Sequence, residues 1–256
     1  MGLALQTMIR DLHRRRGRER RRLAIAEGVR LVEEVLAAQV PCRAIVTSPA
    51  LESTERGRAL KRALLTAPVG VTEVTDATLA DLAATDHPQG VLAVVTPPAW
   101  TLERLAVGAR AVLVVLDGLQ DPGNVGTITR TALAFGATAV IALPGTAEWT
   151  NPKTLRASMG AGFRLPIVTV DEDSARAWLA EHEVTIAATA TDGVSFDRVT
   201  LPDRVAFILG NEGAGLRSRL AQEARLRLAI PLDPGVESLN VAVAAGIFLY
   251  GATRDR

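Results

Sequence analysis

Ala111-Val112-Leu113-Val114-Val115-Leu116-Asp117-Gly118-Leu119-Gln120-Asp121-Pro122-Gly123-Asn124-Val125-Gly126-Thr127-Ile128-Thr129-Arg130-Thr131-Ala132 is the stretch on which the fold turns. Its opening, Ala111–Leu116, is apolar, rich in β-branched residues and without alternation, as a strand buried on both faces of a parallel sheet would be. A Gly/Pro loop follows. Asn124 then stands near a helix start, with Arg130 nearly two turns further on. In open α/β sheets, ligands collect outside the carboxyl ends of the strands, which is where this loop falls. A plain strand-to-helix turn with a surface arginine would carry the same local pattern.

Downstream, five more strands are predicted: Ala139–Leu143, Pro166–Val170, Val184–Ala188, Val205–Leu209 and Leu226–Ile230, with helical segments between most of them. Such alternation implies an α/β fold, a mostly parallel sheet covered by helices. The last element predicted is an Ala-rich helix over Ser238–Tyr250 with Ser238 as its cap. It is apolar nearly all round, so it belongs in a core or a subunit interface.

Upstream, residues 1–22 are basic and helix-compatible, and include Arg14-Arg15-Arg16 and Arg20-Arg21-Arg22. Strands are predicted at Leu23–Ala26, Ala44–Thr47, Val71–Val74 and Gly90–Val95. Helices are predicted at Val29–Ala38, Glu55–Leu65 and Asp76–Leu82, the last capped by Asp76. Pro97-Pro98 ends this run. The expected division is a smaller α/β domain over 1–96, a linker over 97–109 and a larger domain over 110–256.

The formal net charge of the 256 residues is +1, so no global field pulls the chain onto nucleic acid and any such contact is local. Lysine occurs only at Lys61 and Lys153; the other basic residues are arginines, whose planar forks suit phosphate. A GC-rich genome produces the same bias. Cys42 is the single cysteine, which rules out an internal disulfide and a cysteine zinc cluster, and the three histidines are far apart. No metal, no membrane span and a cytoplasmic address are expected.

Two further loops carry polar residues at strand ends. Phe207-Ile208-Leu209-Gly210-Asn211-Glu212-Gly213-Ala214-Gly215-Leu216 breaks from an apolar strand into a glycine-rich loop. Ile230-Pro231-Leu232-Asp233-Pro234-Gly235-Val236-Glu237-Ser238-Leu239-Asn240-Val241-Ala242 runs from a strand through a Pro/Gly loop into the last helix. Asn240, just inside an otherwise apolar helix, reads as a buried amide in need of partners. Neither loop has the spacing of the dinucleotide phosphate fingerprint.

Taken together and in this order, the three runs resemble the signature motifs of the SpoU/TrmH family of RNA 2′-O-ribose methyltransferases, within the SPOUT superfamily. The resemblance covers 110–256. Ala26-Glu27-Gly28-Val29-Arg30-Leu31-Val32 and His87-Pro88-Gln89-Gly90-Val91 look like the accessory domain of many members, akin to kink-turn-binding ribosomal proteins. The resemblance implies a trefoil-knotted sheet and a homodimer in which the arginine of one subunit serves the other's pocket. It implies S-adenosyl-L-methionine as cofactor, bound by Thr189, Ala190, Thr191, Leu209, Gly210, Ile230 and Leu239.

Arg130 matches the family's catalytic arginine, with Asn124, Glu212, Ser238 and Asn240 around it. A guanidinium normally stays protonated, so Arg130 either orients the ribose hydroxyl and binds the adjacent phosphate, or also accepts the proton. Arg14, Arg15, Arg16, Lys153 and Arg156 are expected to contact RNA; for Lys153 and Arg156 a solvated helix face is the other reading. Large-subunit ribosomal RNA is the expected substrate. The alternatives are a tRNA ribose methyltransferase and a non-catalytic RNA-binding protein.

Overall fold

The computed structural model describes residues 1–211 and 215–254, which form two compact units. The first comprises residues 1–99 and 150–163, the second residues 100–149 and 164–256.

In the first unit α1 (Leu3–Leu12) and α2 (Arg15–Arg21) precede β1 (Ala24–Glu27) and α3 (Val29–Ala37). Then come β2 (Cys42–Thr47), α4 (Glu55–Leu64), β3 (Val71–Glu73), α5 (Asp76–Leu82) and β4 (Val91–Val95). The sheet order is β1-β4-β2-β3, with β4 antiparallel to both neighbours and β2 parallel to β3. β1 and β4 are buried throughout, and Ile9 and Leu12 of α1 pack with Ile25, Leu79, Leu82 and Leu92. The basic start is two helices rather than one, because Arg14 is extended and breaks the run. Thr75, not Asp76, caps α5 by accepting from the Thr78 N–H; Asp76 instead accepts from the Ala50 N–H at 2.9 Å.

The second unit opens with β5 (Ala111–Asp117), α6 (Pro122–Ala134) and β6 (Ala139–Ala142). The chain next forms α7 (Pro152–Ser158), which belongs to the first unit: Arg156 lies 3.6 Å from Glu27, and a Cβ on Gly160 would touch Leu31 and Glu34. It resumes in the second unit with β7 (Ile167–Thr169), α8 (Glu172–Glu181), β8 (Thr185–Ser195), β9 (Arg204–Gly210), α9 (Arg219–Gln222), β10 (Leu226–Ala229) and α10 (Val241–Thr253). All pairs are parallel, in the order β10-β8-β9-β5-β6-β7. β5 is central and buried in every residue, as its unbroken apolar run requires.

One face of this sheet is covered by α6 and α10, through Val125, Ile128 and Ala132 of α6 and Ala245, Phe248 and Leu249 of α10. The other face packs α8 through Ala175, Trp178 and Leu179. Phe207 of β9 stacks on Phe248 of α10 with ring centroids 5.5 Å apart, and Phe196 meets the Phe248 ring edge-on at 4.9 Å. This trio anchors the last helix to the sheet. Among the described residues no helix is long and apolar enough to cross a membrane.

Candidate functional site

At the carboxyl ends of β8, β9 and β10 the second unit holds a cleft of about 620 Å³. It exists because β8 leaves the sheet. Ala188 of β8 pairs with Arg227, but the next register pair is Val194 with Leu228, so residues 189–193 detour while β10 advances without a gap. A bulge of this kind re-aims the backbone and unpairs the ladder locally. The detour is pinned at both ends. Thr189 Oγ1 donates to the Ile208 carbonyl at 2.7 Å, and Gly193 lies so close to β10 that a Cβ there would fall 2.7 Å from the Arg227 carbonyl.

The opposite wall comes from the end of β9. A Cβ on Gly210 would lie 2.5 Å from the Gly215 backbone, so only glycine lets the loop fold back on the strand. Asn211 and Gly215 then exchange backbone hydrogen bonds of 3.0 and 2.8 Å. The third wall is the segment between β10 and α10. Thr189, Ala190, Thr191, Leu209, Gly210, Ile230 and Leu239 all line this one cleft, and Ser238 with them. Leu216, Leu232 and Phe248 add apolar surface. Asp192, on the detour, pairs with Arg227 of β10 at 2.7 Å, and this hydrogen bond together with the nearby guanidinium charge holds its carboxyl below the usual range.

Of the polar residues expected around Arg130, Ser238 lines the cleft, while Asn124 and Asn240 meet where α6 and α10 begin. Asn240 is not a buried amide inside α10. It is exposed and is itself the N-cap, its Oδ1 accepting from the Ala242 N–H at 2.9 Å and the Val243 N–H at 3.4 Å. Ser238 is therefore not the helix cap, and it is free to face the cleft. Asn240 Nδ2 donates to Asn124 Oδ1 at 3.2 Å, which ties the start of α10 to the first turn of α6. Asp121 caps α6. Arg130 lies on α6, exposed and without a partner among the described residues, and is not one of the groups lining the cleft. Glu212 lies outside the described residues.

Sequence reasoning missed Asp117. Its side chain is buried at the end of β5, and its Oδ2 accepts from the Arg217 and Ser218 N–H groups at 2.7 and 2.8 Å. The loop after β9 is thus held from the strand that opens the second unit. Asn211 Nδ2 also reaches the Gly118 carbonyl, at 3.4 Å.

In the first unit, Arg15 pairs with Glu19, whereas Arg14 and Arg16 are exposed. Lys153 is exposed on α7. Arg156 is not on a solvated face: its side chain is 30% exposed and lies beside Glu27.

Residues 111–250 match the SpoU rRNA Methylase family, and residues 7–93 match the MRM3-like substrate binding domain. The 23S rRNA (guanosine(2553)-2′-O)-methyltransferase RlmP of Bacillus subtilis is 42% identical over 65% of this chain and 65% of its own length, so the match spans less than two thirds of that relative. A protein of Synechocystis sp. called an uncharacterized tRNA/rRNA methyltransferase is 32% identical over 98% of this chain and 91% of its own length. Among solved structures, the SpoU methyltransferase AviRb from Streptomyces viridochromogenes, in complex with the cofactor AdoMet, superposes with a TM-score of 0.89 at 27% identity, covering 100% of this chain and 98% of that one. With more than half of its length in that match and a near full-length relative besides, the chain belongs to the SpoU rRNA Methylase family.

Proposed function

We propose that this protein is an S-adenosylmethionine-dependent enzyme that methylates a ribose 2′-hydroxyl in large-subunit ribosomal RNA. The observation that carries the reading is the convergence of residues 189–191, residues 209–210 and Ile230, Leu232, Ser238 and Leu239 on one cleft. The cleft fits the cofactor: apolar side chains suit an adenine ring, while the detour of β8 and the glycine at position 210 present backbone groups to its polar edges. The AdoMet complex of AviRb and the 23S rRNA substrate in the name of RlmP favour the same cofactor and substrate class.

The bound cofactor supplies an electrophilic methyl group on a sulfonium. The protein must then position a sugar hydroxyl that is a poor nucleophile at neutral pH. Arg130, exposed and unpaired among the described residues, binds the adjacent phosphate and orients the hydroxyl; its charge favours the anionic character that develops on the oxygen. Asn124 and Asn240 fix α6 against α10, and so fix the helix that carries Arg130. Glu212 is assigned to orienting an arginine side chain.

The protein acts as a homodimer in the cytoplasm. Val243, Ile247 and Tyr250 are 52%, 38% and 56% exposed, and their spacing puts them on one face of α10. An apolar stripe of this kind marks an association surface. A second copy there brings Arg130 to a neighbouring cleft, which accounts for its absence from the cleft of its own chain. A domain over 1–96, with Arg14, Arg15 and Arg16, serves to bind RNA and is joined through 97–109 to the methyltransferase domain over 110–256, from which Lys153 and Arg156 add RNA contacts. The trefoil passage belongs to the same reading: β10 lies beyond β8, and α10 returns onto α6.

The test is transfer of labelled methyl groups to purified ribosomal RNA and to tRNA. Label on ribosomal RNA that maps to a ribose supports the assignment. Label on tRNA alone overturns the substrate, and no cofactor binding in calorimetry overturns the chemistry.

A further inference from the structure

The small sheet of the first unit has a cleft of about 580 Å³ at the end where β1 and β2 begin and β4 stops. Arg21, Arg22, Cys42 and Arg43 line it, with Met8 and Leu23 as apolar surface. All three arginines are exposed, and no acidic residue shares the lining.

Two departures from regular backbone bring these groups together. In a regular strand, neighbours such as Cys42 and Arg43 face opposite sides of the sheet. Here Cys42 pairs with Val95 and Ala44 with Val94, so Arg43 is an extra residue in β2. This bulge lets both residues line the same cleft. The second departure is Arg22, which ends α2 in the left-handed region at φ 53°, where glycine is the usual occupant. Arginine there accepts backbone strain and adds a charge to the rim.

That charge is only partly neutralised within the unit. Arg21 pairs with Asp11 at 2.6 Å, and the same carboxylate takes Arg20 at 2.8 Å. Arg22 and Arg43 have no ion pair among the described residues. Two guanidiniums brought to one cleft without a carboxylate suit an anion that offers several acceptor oxygens.

From these groups we infer that this cleft holds one phosphodiester of the RNA backbone between Arg22 and Arg43, with the adjoining sugar against Met8 and Leu23. Phosphate contacts fix the position and register of a nucleic acid and carry no sequence information. The cleft therefore grips RNA of any sequence and leaves selectivity to other groups. The inference rests on the RNA reading above and adds a named anchor point to it.

The experiment uses the full chain, a transcript of large-subunit ribosomal RNA, and Cys42 as reporter, because it is the only cysteine and lies in this cleft. Burial pushes its thiol up, so alkylation by neutral iodoacetamide is followed at mildly alkaline pH. Bound RNA should slow that alkylation about fivefold by closing access to the thiol. Arg22→Gly keeps the left-handed backbone and removes the charge. Combined with Arg43→Gln, it should lower RNA affinity about tenfold and flatten the log–log salt slope by roughly 0.7–0.9, one phosphate's share. Protection of Cys42 should vanish in the same double variant, while S-adenosylmethionine affinity, the check on folding, stays as in the wild type. Where the double variant does not fold, Arg22→Gly alone decides. An unaltered slope, or a Cys42 that RNA does not protect in the wild type, overturns the inference and leaves the methyltransferase reading standing. Equal protection by inorganic phosphate at matched phosphate concentration makes the occupant a free anion and also overturns it. A wild-type chain that binds no RNA sinks both.

Discussion

Asp117 reaches from the end of β5 to the Arg217 and Ser218 N–H groups, and this one carboxylate sets the loop that walls the cofactor cleft. Asp117→Ala strands those donors, at a cost of about 1–3 kcal/mol in urea denaturation, and loosens the loop so that S-adenosylmethionine affinity falls in calorimetry. Unchanged affinity would detach Asp117 from the site. Nothing local announces this role, because an aspartate at a strand end looks like any turn residue and its partners are remote in sequence. Arg130 was singled out by the resemblance of its run to the family motif; locally, on a helix that also carries Thr127, Thr129 and Thr131, it reads as a surface arginine. Arg130→Ala is expected to abolish methyl transfer and leave cofactor affinity unaltered; retained turnover would remove it from the chemistry. Asn240 was legible as important but for a different reason, being a cap that also grips Asn124. Asn240→Ala should cost about 1 kcal/mol through the cap alone, read from the denaturation midpoint.

At the scale of elements, hydrophobic run lengths located most strands of both sheets, because burial on two faces leaves an unbroken apolar signature. What they missed is where β8 stops. Its apolar run ends at Ala188, yet the strand continues to Ser195 after the detour, and Thr189-Ala190-Thr191-Asp192-Gly193 has no apolar run to signal the continuation. The all-round apolar pattern of α10 predicts complete cover, and in one chain it is not covered completely. Replacing Val243 and Ile247 together by Asp should shift the protein from dimer to monomer in sedimentation, without unfolding it, and should abolish methyl transfer. A dimer that survives would move the interface elsewhere. Phe248 faces the other way, into the aromatic trio, and Phe248→Ala is expected to cost about 3–5 kcal/mol in denaturation experiments.

For the whole molecule, a net charge of +1 leaves RNA attraction to local groups, and the structure sorts the basic start into arginines that face solvent and arginines already engaged. Arg18 is buried and donates to the Leu12 and His13 carbonyls, Arg20 and Arg21 pair with Asp11, and Arg15 pairs with Glu19. Arg14, Arg16 and Arg22 remain exposed. Replacing these three by Ala should flatten the salt dependence of RNA binding by roughly 0.7–0.9 in log–log slope for each phosphate no longer neutralised, whereas Arg18→Ala should act on stability. An unaltered slope would place the phosphate-binding groups elsewhere. The spatial grouping of the helices was not legible either: α7 follows β6 in the chain but packs with the first unit, through partners near Glu27 that no composition shift marks. The excursion of β8 has a last implication, for how this chain tolerates change. Its span is metered by two anchors, the Thr189 hydroxyl and the tight seat of Gly193 on β10. Exchanges of side chain at Ala190 leave that meter untouched, but dropping or adding a single residue between the anchors would unseat one of them, so the wall of the cleft should accept new spelling and refuse a new length.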